Sequence, residues 1–148
     1  MSVKLVLDTY VMEENFFSGT VLIGISSPTT VYRLCWLLNE HLGTNFVREP
    51  EGNDIILQSP KSDKQYFFPI YKYEMPMQGS KYCVYKLKSE EGLLLPELKQ
   101  LDYLWLIESV TAEEEANLMV QHIKTLPDID HAQILSPDKL KHLNHLLV

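Results

Sequence analysis

Two stretches of this chain are apolar on both faces when laid out as strands: Thr20-Val21-Leu22-Ile23-Gly24-Ile25 and Leu101-Asp102-Tyr103-Leu104-Trp105-Leu106-Ile107. Successive side chains of a strand point to opposite sides of its sheet, so a strand with one wet face alternates apolar and polar residues. These two do not alternate. Each predicts a central position in a sheet.

A helix is predicted after each of them. Ser27 is a good N-cap, Pro28 suits the first helical position, and Gly43 suits the C-terminal cap, so a helix is expected over 28–42. Val31, Leu34, Cys35, Leu38 and Leu42 form its apolar stripe; Trp36 lies nearly opposite, with Tyr32 one turn before it. Thr111-Ala112-Glu113-Glu114 reads as a capping box, followed by a buried stripe of Ala116, Met119, Val120 and Ile123 and a stop at Pro127. His131 to Leu135 reads as a short strand, and Ser136-Pro137 as the start of a last helix.

Between the first helix and Leu101 the pattern is one of short strands and turns. A short strand falls within 44–54, and Ile55-Ile56-Leu57, Tyr66 to Tyr73 and Tyr82 to Lys88 read as three more. Pro69 cannot donate to a ladder, so its segment is an edge strand or bends there. Residues 3–18 give no clear element. The order predicts a single α+β domain over 1–148, an antiparallel-rich sheet with helices packed mainly on one face. The nearest named pattern is the split β-α-β of ferredoxin-like domains, here with an added C-terminal helix.

Composition excludes some partners. The 148 residues carry 13 basic and 20 acidic side chains, a net charge of −7, with no basic stripe. Such a chain lacks the footprint that phosphate backbones require, so neither nucleic acid nor an anionic membrane is expected as a partner. Cys35 and Cys83 sit in apolar patterns without a CxxC, which predicts buried thiols in a reducing cytosol. No signal-peptide pattern and no membrane-length apolar run is present, so a cytoplasmic location is expected. No cofactor is called for.

The most distinctive segment is Leu95-Pro96-Glu97, three residues, then Leu101-Asp102-Tyr103. It resembles the I-P-E-x-x-x-V-D-Y signature of the bacterial IPExxxVDY family, and Tyr32-Arg33-Leu34 with Leu37-Leu38-Asn39 and Leu42-Gly43 is similar to that family's first helix. Leucine replaces isoleucine and valine, swaps of similar size. The resemblance implies a small bacterial cytosolic protein and carries over no catalytic residues. Physically, Pro96 holds its backbone angle and keeps Leu95 extended, so Pro96 to Gln100 makes one helical turn. Asp102 and Tyr103 then enter the strand on opposite faces.

Two uses of the motif stand open: an architectural bend, or Glu97 and Asp102 as a carboxylate pair for acid–base work or metal binding. His142 and His145 share a helix face, but a metal site needs a third ligand, and His41, His122 and His131 are unplaced. Cys35 lies in a buried stripe and reads as an inert thiol, and Gly24 as a point of close packing. The surfaces carry more. Aliphatic residues commonly meet helices, so Leu104 and Leu106 are placed under them. Tyr103 and Trp105 then face the other side, where Tyr66, Phe68 or Tyr71 join them. Tyr32, Trp36, Tyr103 and Trp105 are thus the candidate interface. The leading expectation is a non-enzymatic module that forms a homodimer or binds a protein partner. The alternatives are a small-molecule-binding regulatory domain of ferredoxin-like type and a small enzyme using Glu97 and Asp102.

Overall fold

A computed structural model of the chain describes residues 19–48, 55–58, 65–75, 77, 79–89 and 92–135. In chain order its elements are β1 (Thr20–Ser26), α1 (Val31–Leu42), β2 (Val47–Arg48), β3 (Ile55–Gln58), β4 (Gln65–Phe68), β5 (Ile70–Met75), β6 (Ser80–Lys86), a 3₁₀ turn (Pro96–Leu98), β7 (Tyr103–Glu108), α2 (Ala112–Ile123) and β8 (His131–Leu135). The expected last helix and the segment over 3–18 lie outside the described residues.

The two doubly apolar strands are neighbours. β1 and β7 pair antiparallel, from Thr20 opposite Glu108 to Ile25 opposite Tyr103. They sit inside a six-stranded antiparallel sheet of order β2-β5-β6-β7-β1-β8. Taking β1, α1, β6, β7, α2 and β8 alone gives the strand order β8-β1-β7-β6, the split β-α-β arrangement of ferredoxin-like folds. The chain between α1 and β6 is an insertion that adds β2 and β5 to one edge and contributes the separate β3–β4 pair. Pro69 is the hinge of that insertion. It ends β4 at Phe68 and releases the chain into β5 at Ile70, so one aromatic run is split between two sheets.

Both faces of the sheet are covered. Under the helices, Ile23, Ile25, Tyr82, Val84, Tyr103, Trp105 and Ile107 pack with Leu34, Cys35 and Leu38 of α1 and Ala112, Ala116, Val120 and Ile123 of α2. On the other face, Leu22, Cys83, Tyr85, Leu104 and Leu106 meet Ile55 and Phe68 of the β3–β4 pair and Leu94, Leu95, Leu98 and Leu101 of the motif segment. The assignment of faces from sequence is therefore reversed. Tyr103 and Trp105 lie beneath the helices, and Leu104 and Leu106 lie away from them. The cause is volume: α2 presents two alanines, a valine and one isoleucine, so the sheet supplies the bulk, while a leucine-rich segment covers the far face. Of the expected companions of Trp105, Tyr71 shares its cluster, whereas Phe68 and Tyr66 belong to the opposite one.

The first predicted helix start shifts; the second holds at Thr111, but without the expected capping bond. α1 begins at Val31, where the Thr30 side chain accepts from Arg33 N at 3.2 Å, and Gly43 closes it at φ 70°. Ser27 is not its cap because other partners hold it, as described below. At α2, Thr111 makes no side-chain cap bond; its hydroxyl donates to Glu115 Oε2 at 2.8 Å instead of accepting from the backbone.

Gly24 is a point of close packing. A Cβ there would lie 2.4 Å from Leu101 Cδ1 and 3.0 Å from Leu135 Cδ1. Leu101 is buried, so its methyl has little room to retreat. Gly24→Ala is expected to lower unfolding free energy by about 1–2 kcal/mol, the usual range for forcing extra volume into a packed core. Urea denaturation checks this, and relief by Leu101→Ala in the double variant identifies the clash.

Candidate functional site

The motif ends at a junction between strands. The 3₁₀ turn places Leu98 and Leu101 in the far-face core, with Leu98 N donating to Leu95 O and Leu101 N to Leu98 O. Asp102 follows, and all its polar groups reach across to other parts of the sheet. Its N–H donates to Ile25 O at 2.9 Å, at the end of β1, and its carbonyl accepts from Leu87 N at 3.0 Å, just past β6. Its carboxylate accepts from Ser27 N at 2.8 Å through Oδ2 and from Lys88 Nζ at 3.1 Å through Oδ1. One residue thereby fastens the ends of β1 and β6 to the start of β7.

Ser27 extends the junction. Its hydroxyl donates to Asp128 O and accepts from Thr29 N. Ser26 Oγ donates to Gln100 O at 3.2 Å, and Asp130 N to Ser26 O at 2.9 Å. The Tyr103 hydroxyl crosses beneath to donate to Thr29 O. Burial, with the Asp102 charge added to it, pushes the Tyr103 phenol up to about 12. The phenol is therefore a fixed neutral donor at physiological pH.

Of the motif residues, Leu95, Leu98 and Leu101 are buried, Asp102 is a tie and Tyr103 is a buried strut. Both Asp102 carboxylate oxygens have partners, and Glu97 also makes contacts. Burial holds the Cys35 thiol up at about 12 and raises Cys83 as well, which suits inert core thiols. Among the described residues no group of three His, Cys, Asp or Glu side chains converges as a metal site. His142 and His145 lie outside the described residues.

A second polar cluster lies at the start of α2. Glu115 accepts from the Tyr82 hydroxyl and from Thr111, and Ser80 Oγ donates to Ser109 Oγ at 3.2 Å. Burial tends to raise the Glu115 carboxyl, but hydrogen bonds from Ser109, Tyr82 and Thr111 outweigh it and hold the group below the usual carboxylate range. Burial and the Glu115 bond push the Tyr82 phenol well above its ordinary value. Beside this cluster is an open groove of about 330 Å³, lined by Gly19, Thr20, Val21, Ser109, Val110, Ala112, Glu113 and Glu114.

The candidate interface divides in two. Tyr103 and Trp105 are 4% and 0% exposed and leave it; they are core residues. Tyr32 and Trp36 are 71% and 45% exposed on the outer side of α1. The Arg33 guanidinium lies over the Trp36 ring, 5.2 Å from its centroid, and its Nε is 3.8 Å from Asp128 Oδ2. Sequence reasoning did not find Arg33, Asp128, Ser27 or Lys88 as a set. The one local signal is at Asp128, whose φ of 69° follows directly on Pro127.

Comparison with protein-family models, with curated proteins and with solved structures found no match to this chain. Among the described residues no helix is long and apolar enough to cross a membrane.

Proposed function

We propose that this chain is a non-enzymatic protein-binding module of the IPExxxVDY family whose docking surface is the outer side of α1. The observation that carries the reading is the pair Tyr32 and Trp36, one turn apart and open to solvent, with Arg33 laid over the indole. Tryptophan, tyrosine and arginine are the residues most enriched where binding energy concentrates at interfaces. The motif supports the same reading from the other side, because Asp102 spends its carboxylate on Ser27 and Lys88. The bacterial, cytosolic character rests on the motif resemblance.

The experiment is acrylamide quenching of a Trp105→Phe variant, which leaves Trp36 as the one indole. Trp36 is expected to be freely quenched in dilute protein. Trp36→Asp in the wild-type background is expected to cost less than about 1 kcal/mol, because the ring sits on the surface. A protected Trp36 together with a large stability loss would mean that the chain covers the patch itself, and the reading would fail.

A second reading, a small-molecule-binding regulatory domain, is supported by the groove at the start of α2 and by the ferredoxin-like strand order. Fold analogy carries little weight for function. A thermal-shift screen of amino acids and nucleotides separates the two readings.

A further inference from the structure

The two edges of the main sheet differ. At one, β2 is two residues long and ends in Arg48. At the other, β8 runs for five residues, His131-Ala132-Gln133-Ile134-Leu135, and among the described residues its only strand neighbour is β1. Edge strands are normally blunted by lysine, proline, a bulge or shortness, because their unpaired N–H and C=O groups template another strand. β8 contains no lysine and no proline, and its ladder with β1 runs unbroken from Leu22–Leu135 to Ser26–His131.

We infer that a second copy of the chain pairs with this edge, β8 against β8, antiparallel about a twofold axis at Gln133. Charge favours it. A chain of net charge −7 repels its copy, and a strip without charge adds nothing to that repulsion; His131–Leu135 contains no Asp, Glu, Lys or Arg. Register favours it as well. Centring on Gln133 pairs all five residues and sets the two Gln133 side chains opposite each other. It also sets Ile134 of each copy opposite Ala132 of the other. Both lie on the helix side of the sheet, level with Ile23 and Ile25, where Ala132 is buried and Ile134 is 42% exposed. Each exposed isoleucine then gains an apolar neighbour across the seam, and the same contact occurs twice, as a twofold interface requires. A foreign strand satisfies the backbone but not this self-complementary order. The pairing joins two sheets into one and leaves the outer side of α1 free for a partner.

The inference rests on the chain being a protein-binding module but not on Trp36, and sedimentation velocity over a concentration series separates the two. The wild type is expected at twice the 17.2 kDa chain mass. Gln133→Lys places like charges directly opposite and is expected to halve that mass, with unchanged circular dichroism. Gln133→Glu carries the same expectation and reads the contact if the lysine variant unfolds. Mixing the two restores the dimer, since lysine then faces glutamate. Trp36→Asp keeps the dimer mass. A wild type that is monomeric throughout, a Gln133→Lys dimer, or a mixture of folded variants that stays monomeric overturns the inference. A dimer lost in Trp36→Asp but kept in Gln133→Lys also overturns it, moving self-association to α1 while the protein-binding reading stands.

Discussion

Trp105→Ala is expected to lose about 3–5 kcal/mol of unfolding free energy, the range for removing a large aromatic side chain from a core. Trp105 is fully buried at the centre of β7. Its ring meets Phe46 edge-on at 5.3 Å and Tyr82 at 5.4 Å, and those two rings with Tyr73 form one aromatic cluster under the helices. The loss is a large fraction of a typical domain's stability of about 5–15 kcal/mol, so the variant should unfold at a much lower urea concentration. Trp105→Phe tells more. The indole Nε1 has no hydrogen-bond partner among the described residues. A buried unpaired donor costs about 1–3 kcal/mol, so removing it offsets much of the cavity that phenylalanine leaves. We expect Trp105→Phe to cost only about 1 kcal/mol by urea denaturation. If phenylalanine were as damaging as alanine, the indole N–H would be contributing an interaction that the structure does not show.

The strands were readable in the sequence because burial on both faces leaves an unmistakable pattern, as at 20–25 and 101–107. The direction in which those faces point was not. Which side meets the helices depends on the helices' own bulk, and Ala112 and Ala116 of α2 gave no visible instruction to β7 that aromatic volume was wanted. The start of α1 was misplaced for a similar reason. Ser27 looked like a cap by local chemistry, but Asp102 and Asp128, distant in sequence, take its N–H and its hydroxyl. Gly24 and Gly43 were legible because their conformational and packing roles are local. The β3–β4 pair was legible as strands but not as a separate sheet, because only Pro69 marks the transfer.

The candidate site shows the same division. Tyr32 and Trp36 follow from helical phase alone, since both lie off the buried stripe of α1. The role of the motif does not, because a bend and a carboxylate pair call for the same residues. What separates them is the set of partners, and these come from β1, β6 and the loop before β8.

The hydrogen bonds of Asp102 make it a fastener between strand ends. The unfolding free energies of Asp102→Ala and Lys88→Met test that role. Asp102→Ala leaves the N–H of Ser27 without its acceptor at a residue only 4% exposed. That costs about 1–3 kcal/mol for the unpaired donor, and a half-exposed ion pair adds less than about 1. The expected loss is about 2–3 kcal/mol for Asp102→Ala and less than about 1 for Lys88→Met, whose Nζ meets the carboxylate at a partly exposed position. An Asp102→Ala variant as stable as the wild type would contradict that role.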